Sequence, residues 1–399
     1  MKSPIQEKID IIKRLKEEAG SHSPSLFTIK KAIPSLEINV DACFLSNPYA
    51  TDLFLQYFKK QLIDTNELRN LLEFYPSQNR VIAKHLSNST GVNAENIFIG
   101  NGAIEIIQTI LQRYTKTKII INIPTFSSYY EFVNKEVEII FNHLLKENNF
   151  QLDINKYISL VKKEKPDTVV LINPNNPDGG YLDYSKIRTL LKELKNVNTV
   201  ILDESFIHFA YEDDKYGLRS ASSLIYEFPN LVVIKSMSKD FGIAGIRAGY
   251  SIMDSKRVDD LINNGFLWNS NGLSEYFFRL YNDKSFLEKY EEVRITYIKE
   301  TQTFINKLKS LNNIKVYPSK ANFVLIEILN GLSSDSFVFN MLVKHGVYLR
   351  TCSDKIGLKG QFIRVASRTK AENNKIIDAF KEEISNNYNP IHETSNTKF

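Results

Sequence analysis

The sequence contains little cysteine, few histidines and no long hydrophobic run. Cys43 and Cys352 are the only cysteines among 399 residues, and they lie far apart without the spacing of metal ligands. This usage excludes a disulfide framework and favours a reducing compartment. The six histidines form no cluster, so we expect no metal site. No apolar run approaches the roughly 20 residues that span a bilayer, and we therefore expect no contact with a membrane.

The charges also argue against some classes of function. The formal net charge is +5, but the lysines are scattered among acidic residues, so no basic patch favours binding to nucleic acid. Residues 1–20 form a charged, amphipathic stretch without the apolar core of a signal peptide, which indicates a cytoplasmic protein. With 43% hydrophobic and 24% charged residues, the composition is that of an ordinary globular protein of one or two domains.

Apolar segments rich in β-formers alternate with helical ones along the chain. This pattern is typical of an α/β fold with a mainly parallel central sheet wrapped by helices. We predict the central strands at residues 119–123, 168–172, 199–202 and 231–234. Ligand sites in such sheets lie at the carboxyl ends of the strands. Because a distinctive motif follows each predicted strand, we expect these motifs to converge on one site.

The most informative motif follows the last of these strands, at residues 236–250. Its sequence is Ser-Met-Ser-Lys-Asp-Phe-Gly-Ile-Ala-Gly-Ile-Arg-Ala-Gly-Tyr. Among such small residues the amine of Lys239 can approach a planar aldehyde cofactor and form a Schiff base, and burial lowers the pKa of such a lysine. Arg247, Ser236 and Ser238 offer hydrogen-bond donors to a phosphate. A lysine in an ordinary surface turn is the alternative, but the whole run favours a phosphorylated aldehyde.

The other strands end at motifs that suit the same cofactor. Asp203 follows the strand at residues 199–202, where a carboxylate can keep a pyridine nitrogen protonated or can cap a helix. Phe126, which follows the strand at residues 119–123, can stack on an aromatic ring. Residues 173–180 form a turn rich in proline and glycine. Gly-Asn-Gly-Ala-Ile-Glu at residues 100–105 precedes an apolar helix, whose first N–H groups can bind an anion.

With these motifs the chain resembles the pyridoxal phosphate (PLP)-dependent enzymes of aminotransferase class I and II, over about residues 30–385. It is most similar to the branch that contains histidinol-phosphate aminotransferase and threonine-phosphate decarboxylase. The resemblance implies the type I fold of PLP-dependent transferases. In that fold a large domain with the central sheet binds PLP, and a smaller α+β domain completes the site.

The resemblance implies a role for each motif in binding PLP. Lys239 forms the Schiff base, Asp203 bonds the pyridine nitrogen, and Phe126 stacks on the ring. Asn176 bonds the phenolic oxygen. The residues implied to bind the PLP phosphate are Gly102, Ala103, Ile104, Ser236, Ser238, Arg247 and, from the neighbouring subunit of a homodimer with shared active sites, Tyr75.

The resemblance also implies where a substrate binds. Arg364, in Ile-Arg-Val-Ala-Ser-Arg, matches the arginine that holds the substrate α-carboxylate, and Asn322 supports it. Arg350 and Tyr49 are our candidates for binding a substrate phosphate. The alternative for the two arginines is an ordinary position on a surface strand.

Two residues depart from the pattern of the family. Phe206 stands where many transaminases have a tyrosine that stabilises the ionised phenolic oxygen of PLP. Loss of that donor should raise the pKa of the Schiff base, and Phe206 together with the Ile-His-Phe that follows resembles threonine-phosphate decarboxylase. Asp178 replaces the usual threonine of the turn at residues 173–180, and we expect this change to affect only the turn.

Two reactions fit these residues equally well. In transamination Lys239 moves the substrate Cα proton to the cofactor, whereas in decarboxylation the carboxylate leaves as CO2. The sequence does not show how a substrate is oriented. We favour an aminotransferase acting on a small, phosphorylated amino acid or amine, because such enzymes are more numerous. The alternative is a decarboxylase of an O-phospho-amino acid of the phosphoserine or phosphothreonine type, and a non-catalytic PLP-binding regulator is a remote third possibility.

The same resemblance gives the expected domain organisation. Residues 1–45 form an N-terminal segment that packs on the small domain, and residues 46–285 form the large PLP-binding domain. Residues 286–384 form the small domain, which a long polar helix at about residues 285–311 links to the large one. Residues 385–399 are rich in asparagine, serine and threonine and form a disordered tail.

Overall fold

The computed structural model describes residues 3–385. Its strands are β1 (Val40–Asp41), β2 (Ile97–Asn101), β3 (Lys118–Ile123), β4 (Glu138–His143), β5 (Thr168–Ile172), β6 (Thr199–Asp203), β7 (Leu231–Ser236), β8 (Ala248–Ile252), β9 (Ile314–Val316), β10 (Phe323–Ile328), β11 (Val347–Tyr348), β12 (Arg350–Thr351) and β13 (Phe362–Ala366). Its α-helices are α1 (Pro4–Ala19), α2 (Leu26–Ala32), α3 (Pro48–Phe58), α4 (Leu68–Glu73), α5 (Asn79–Thr90), α6 (Ala103–Tyr114), α7 (Ser128–Glu131), α8 (Ile154–Glu164), α9 (Tyr184–Glu193), α10 (Ser255–Asn263), α11 (Gly272–Leu280), α12 (Lys284–Lys309), α13 (Ser334–His345) and α14 (Lys370–Ser385).

The central sheet of the described residues has seven strands, in the order β2-β8-β7-β6-β5-β3-β4. All pairings are parallel except those of β8, which is antiparallel to both of its neighbours. The inner strands β5, β6 and β7 are almost entirely buried runs of mainly β-branched and aliphatic residues, as expected for a sheet covered by helices on both faces. The predicted central strands and the predicted fold class are confirmed.

A second, antiparallel sheet has the order β12-β13-β10-β9. The helix α12, 26 residues long, connects the two sheets and confirms the helix predicted at about residues 285–311. The buried side chains of the second sheet form their own hydrophobic core with α12, α13 and α14. The two sheets thus have separate hydrophobic cores, and a ligand site is expected at the boundary between them.

The N-terminal segment packs on the part of the chain that carries the second sheet. Ile12 and Leu15 of α1 are buried in one cluster with Phe339 and Leu342 of α13, and β1 pairs in parallel with β11. The predicted domain limits stay predictions. Of the predicted tail, Ser385 ends α14 and the rest lies outside the described residues. None of the helices within residues 3–385 has the length and hydrophobicity that crossing a membrane requires.

Candidate active site

A cavity of about 350 Å³ lies where β5, β6 and β7 end and meet the second sheet. Most of the predicted site residues converge on it, as the placement of their motifs after parallel strands led us to expect. Those that line it are Ala103, Ile104, Phe126, Asn176, Asp203, Ser236, Ser238, Lys239, Arg247, Arg350 and Arg364. Gly102 lies directly beside this set, against Arg247.

Lys239 lies three residues beyond the end of β7, and its backbone oxygen accepts a hydrogen bond of 2.9 Å from the N–H of Asn47. Burial, followed by the positive charges of Arg364 and Arg247, lowers the pKa of its amine to about 8. The neutral amine, which is the form that attacks an aldehyde, is therefore far more abundant near neutral pH than for an ordinary lysine. The site fits a carbonyl cofactor at this lysine.

Asp203 ends β6 and is almost completely buried. Its Oδ1 accepts from the N–H of Ser205 at 2.8 Å, and its Oδ2 accepts from the hydroxyl of Tyr129 at 2.8 Å. Burial raises the pKa of this carboxyl, against the opposing effect of those two hydrogen bonds and of the positive charge on Lys235. Neither of these donors is a cation, and within residues 3–385 Asp203 forms no ion pair. A protonated pyridine nitrogen would supply that cationic partner.

The start of α6 and the side chain of Arg247 form a site for a phosphate. Gly102 has φ +77°, and a Cβ atom added there would lie 2.4 Å from Nη2 of Arg247. The absence of a side chain at Gly102 thus lets the guanidinium lie against the helix N-terminus, where backbone N–H groups already favour an anion. Ser236 and Ser238 line the same cavity, so the donor set fits the phosphate of PLP.

Arg364 extends from β13 across the boundary between the two sheets. Its Nη1 donates to Oδ1 of Asn176 at 2.7 Å and its Nη2 donates to the backbone oxygen of Cys43 at 2.8 Å. Its Nε is buried without a hydrogen-bond partner. The protein thus holds the guanidinium at the wall of the cavity that it lines.

Arg350 lines the cavity from β12. Its Nη2 lies 2.6 Å from Oδ2 of Asp354 and 2.9 Å from the backbone oxygen of Ser21. Next to it, Lys355 also lines the cavity, and burial together with the charge of Arg350 lowers the pKa of Lys355 to about 8. The backbone of Lys355 hydrogen-bonds Cys352 and Leu358, but its side-chain amine forms no hydrogen bond or ion pair within the described part of the chain. Ser21, His22 and Ser23 line the cavity together with this basic pair, and Arg350 contacts Ser21 directly.

The sequence analysis missed Lys355 and the lining segment Ser21–Ser23. The run Ser-His-Ser, placed between two amphipathic helices, was the available signal, because small polar residues between helices often face a ligand. Its place at the cavity nevertheless depends on α1 packing against α13, more than 300 residues further along the chain. Local sequence does not contain that information.

Besides Gly102, three predicted site residues lie outside the cavity lining. The hydroxyl of Tyr49 donates to Glu300 at 2.6 Å, so the structure gives no support to its contact with a substrate phosphate. Within residues 3–385 no hydrogen bond joins Asn322 to Arg364. Nδ2 of Asn322 donates to the backbone oxygen of Leu45 at 3.1 Å and so helps to fix a cavity-lining residue. Tyr75 is 92% exposed and stacks on Trp268. Its contact with a neighbouring subunit stays a prediction.

The expectation that Asp178 affects only its own turn is too narrow. Asp178 is buried, accepts from the N–H of Gly180 at 2.7 Å and also hydrogen-bonds Asn175. Asn175 in turn donates to the backbone oxygen of Pro124 and accepts from the hydroxyl of Thr125. Asp178 therefore helps to connect the turn that carries Asn176 with the loop that carries Phe126.

Comparison with known proteins is consistent with this geometry. The model of the family described as aminotransferase class I and II matches residues 46–380. The chain is 57% identical to an L-serine phosphate decarboxylase of Campylobacter jejuni. The alignment spans 375 residues, which are 93% of this chain and 96% of that protein. It is 50% identical over 367 residues to an L-serine phosphate decarboxylase of Sulfurospirillum multivorans, covering 92% of this chain and 94% of that protein. The solved structure of a decarboxylase from Sulfurospirillum multivorans superposes with a TM-score of 0.92 at 48% identity, over 95% of this chain and 96% of that one.

These findings correct one prediction and confirm two others. The predicted aminotransferase activity is wrong, because the two relatives at 57% and 50% identity are both decarboxylases of L-serine phosphate. Histidinol-phosphate aminotransferases match at only 28–31% identity. Lys239 and Asp203 serve either reaction, so their presence could not separate the two. The predicted resemblance and the predicted cofactor are confirmed, and the chain belongs to the aminotransferase class I and II family of PLP-dependent enzymes.

Proposed function

We propose that this protein decarboxylates O-phospho-L-serine to O-phosphoethanolamine and CO2. The observation that carries the proposal is the charge of the cavity lining. Arg247, Arg350, Lys355 and Arg364 contribute four basic side chains besides Lys239, and Asp203 is the one carboxylate of the lining. This surplus suits a cofactor phosphate and a substrate with both a phosphate and a carboxylate. The similarity to two L-serine phosphate decarboxylases supports the same substrate.

The residues on the cofactor side have two tasks in this reaction. PLP, when bound, supplies a conjugated ring that accepts the electron pair of the breaking bond. Asp203, held by Ser205 and Tyr129, keeps the ring nitrogen protonated. Lys239 holds the cofactor before the substrate arrives and, once released, carries a proton.

The residues on the substrate side orient the bond that breaks. Arg350 and Lys355 bind the substrate phosphate at the end of the cavity formed by Ser21–Ser23. Arg364, whose side chain lines the cavity, binds the α-carboxylate. The bond from Cα to the carboxylate breaks, CO2 leaves, and Lys239 delivers a proton to Cα in its place. Phe206 lines the cavity with Asp203 and packs on Phe323. Its side chain contributes an apolar surface that has no hydroxyl group to donate.

We further propose a homodimer in which Tyr75 reaches the cofactor phosphate of the other subunit. Tyr75, Phe74, Leu72 and Trp268 are all exposed in the single chain, with exposed fractions of 92%, 65%, 70% and 59%. Exposed apolar residues clustered in this way are typical of a surface that a partner covers. Both cysteines are free and buried, which supports a cytoplasmic protein.

The test is to incubate the PLP-loaded protein with O-phospho-L-serine and to measure CO2 and O-phosphoethanolamine. We expect the two products in equal amounts, and much slower turnover of L-serine, which lacks the phosphate. A parallel reaction contains glutamate and small phosphorylated ketones. Release of 2-oxoglutarate there, without CO2 from O-phospho-L-serine, would contradict the proposal.

A further inference from the structure

Residues 20–25 join α1 to α2, and Ser21, His22 and Ser23 of this segment line the cavity. Its backbone is held by two basic side chains. Nζ of Lys16 donates to the backbone oxygens of Gly20 and of His22, the latter at 3.0 Å. Nη2 of Arg350 donates to the backbone oxygen of Ser21, which lies between them. The carbonyl groups of three successive residues, Gly20 to His22, are therefore each hydrogen-bonded by a cationic side chain.

Asp354 joins these two cations. Its Oδ2 lies 2.6 Å from Nη2 of Arg350 and 3.6 Å from Nζ of Lys16. The side chains of Lys16 and Asp354 are only 15% and 19% exposed. Without the carboxylate the two positive charges would repel each other in a poorly hydrated place. The cluster thus connects α1, the lining segment and the strand β12.

Lys16 itself does not line the cavity. Lys16 belongs to α1, and this helix is held in place by Leu15, which is buried against α13. A lysine in the last turn of a helix also stabilises the helix terminus through its positive charge and its bonds to carbonyl groups. Capping alone would explain the bond to Gly20. It would not explain the bond to His22, which lies beyond the helix, or the approach to Asp354.

We propose that Lys16 is a positioning residue for the phosphate end of the cavity. By binding the carbonyl groups of Gly20 and His22, and by sharing Asp354 with Arg350, it holds Ser21–Ser23 where the substrate phosphate binds. The inference rests on the proposed function for the identity of that ligand. The position of the segment, however, does not depend on which reaction the enzyme catalyses.

The variants that test this role are Lys16→Met, Lys16→Arg and, as a matched control, Lys13→Met at an exposed site on the same helix. With O-phospho-L-serine, Lys16→Met should raise KM by about 10-fold or more, the equivalent of one charge-assisted bond, and leave kcat within a few-fold. Lys16→Arg should recover most of the loss, and Lys13→Met should behave like the parent. An unchanged KM for Lys16→Met, or a fall in kcat alone, would overturn the proposal.

Amide hydrogen exchange provides a readout that needs no turnover. In the parent, the amides of residues 20–25 should exchange more slowly when O-phosphoethanolamine is added, and in Lys16→Met they should exchange fast with or without it. If the parent decarboxylates no O-phospho-L-serine but shows this difference, the proposed function fails and the role of Lys16 stands. If exchange is the same in the parent and in Lys16→Met, the role of Lys16 fails whatever the activity. If Lys16→Met does not fold, Asp354→Asn decides, because it removes the carboxylate that Lys16 shares with Arg350 and should show the same rise in KM. An unchanged KM in Asp354→Asn would then overturn the proposal.

Discussion

Arg364 donates a hydrogen bond of 2.7 Å to the side-chain oxygen of Asn176, and this bond joins the two sheets across the cavity. Arg364 belongs to β13 of the second sheet, whereas Asn176 follows β5 of the central sheet. The residue that we expect to bind the substrate carboxylate is thus tied to the residue that we expect to bond the cofactor. Removal of either partner leaves the other with an unsatisfied polar group in a buried place.

Arg364→Ala should therefore weaken the use of O-phospho-L-serine. Charge-assisted hydrogen bonds contribute about 1.5–3 kcal/mol, which corresponds to a roughly 10- to 150-fold loss in kcat/KM. Steady-state CO2 release checks this. The control is Arg368→Ala, because Arg368 donates to Ser46 and does not line the cavity. A loss of the same size in the control would show that Arg364 supports the fold and does not bind the substrate.

Asp203→Ala should lower kcat by orders of magnitude, because an unprotonated pyridine is a poor electron sink. Tyr129→Phe is the matched control, since it removes the hydrogen bond to Oδ2 and keeps the carboxylate. We expect a much smaller loss for it. Single-turnover rates of CO2 release under saturating substrate measure both. Activity of Asp203→Ala within a few-fold of the parent would show that this carboxylate is only structural.

The pKa of Lys239, lowered to about 8 by burial and then by Arg364 and Arg247, predicts a pH dependence. The amine is protonated below that pH and neutral above it, so covalent attachment of PLP to the cofactor-free protein should accelerate as pH rises through about 8. Arg364→Gln removes one repelling charge, which should raise the pKa and shift the curve to higher pH. Absorbance during reconstitution measures the rate, and borohydride reduction identifies the attached residue. Attachment that persists in Lys239→Ala would refute the assignment.

Lys355→Met should impair the use of phosphorylated substrates specifically. Lys355 lines the cavity without a partner of its own in residues 3–385, so a substrate phosphate is the group that its charge can bind. We expect KM for O-phospho-L-serine to rise roughly 10- to 150-fold, with little effect on the slow reaction of L-serine. Lys359→Met, at an exposed position nearby, is the control. Equal losses on both substrates would show that Lys355 does not bind the substrate phosphate.

Much of the fold could be predicted because it is encoded in short runs of sequence. Apart from Asp203, the residues of β5 and β6 are β-branched or leucine, which identifies strands buried on both faces. The motifs after these strands converge because parallel strands bring their carboxyl ends together. Lys239 and Asp203 could therefore be placed in one cavity from their positions in the sequence.

Other parts of the site depend on relations that no local pattern shows. Ser21–Ser23 reach the cavity through the packing of α1 on α13, and Lys355 reaches it through the turn after β12. The reaction itself depends on which bond of the substrate stands perpendicular to the cofactor ring. That orientation is set when the substrate binds, and it does not depend on Lys239 or Asp203. Because these two residues serve both reactions, their presence in the sequence could not distinguish a decarboxylase from an aminotransferase.

The N-terminal helix also changes the dielectric environment of the cavity. Residues 3–24 belong to neither the central nor the second sheet, and a chain that began at Ser25 would retain all thirteen strands and Lys239. It would also leave Arg350 and Lys355 more exposed to water on the side that Ser21–Ser23 now cover. Water on that side would screen both charges, so each would attract a phosphate less strongly. The helix contributes no reacting group, yet it sets the strength of the electric field in which the substrate binds.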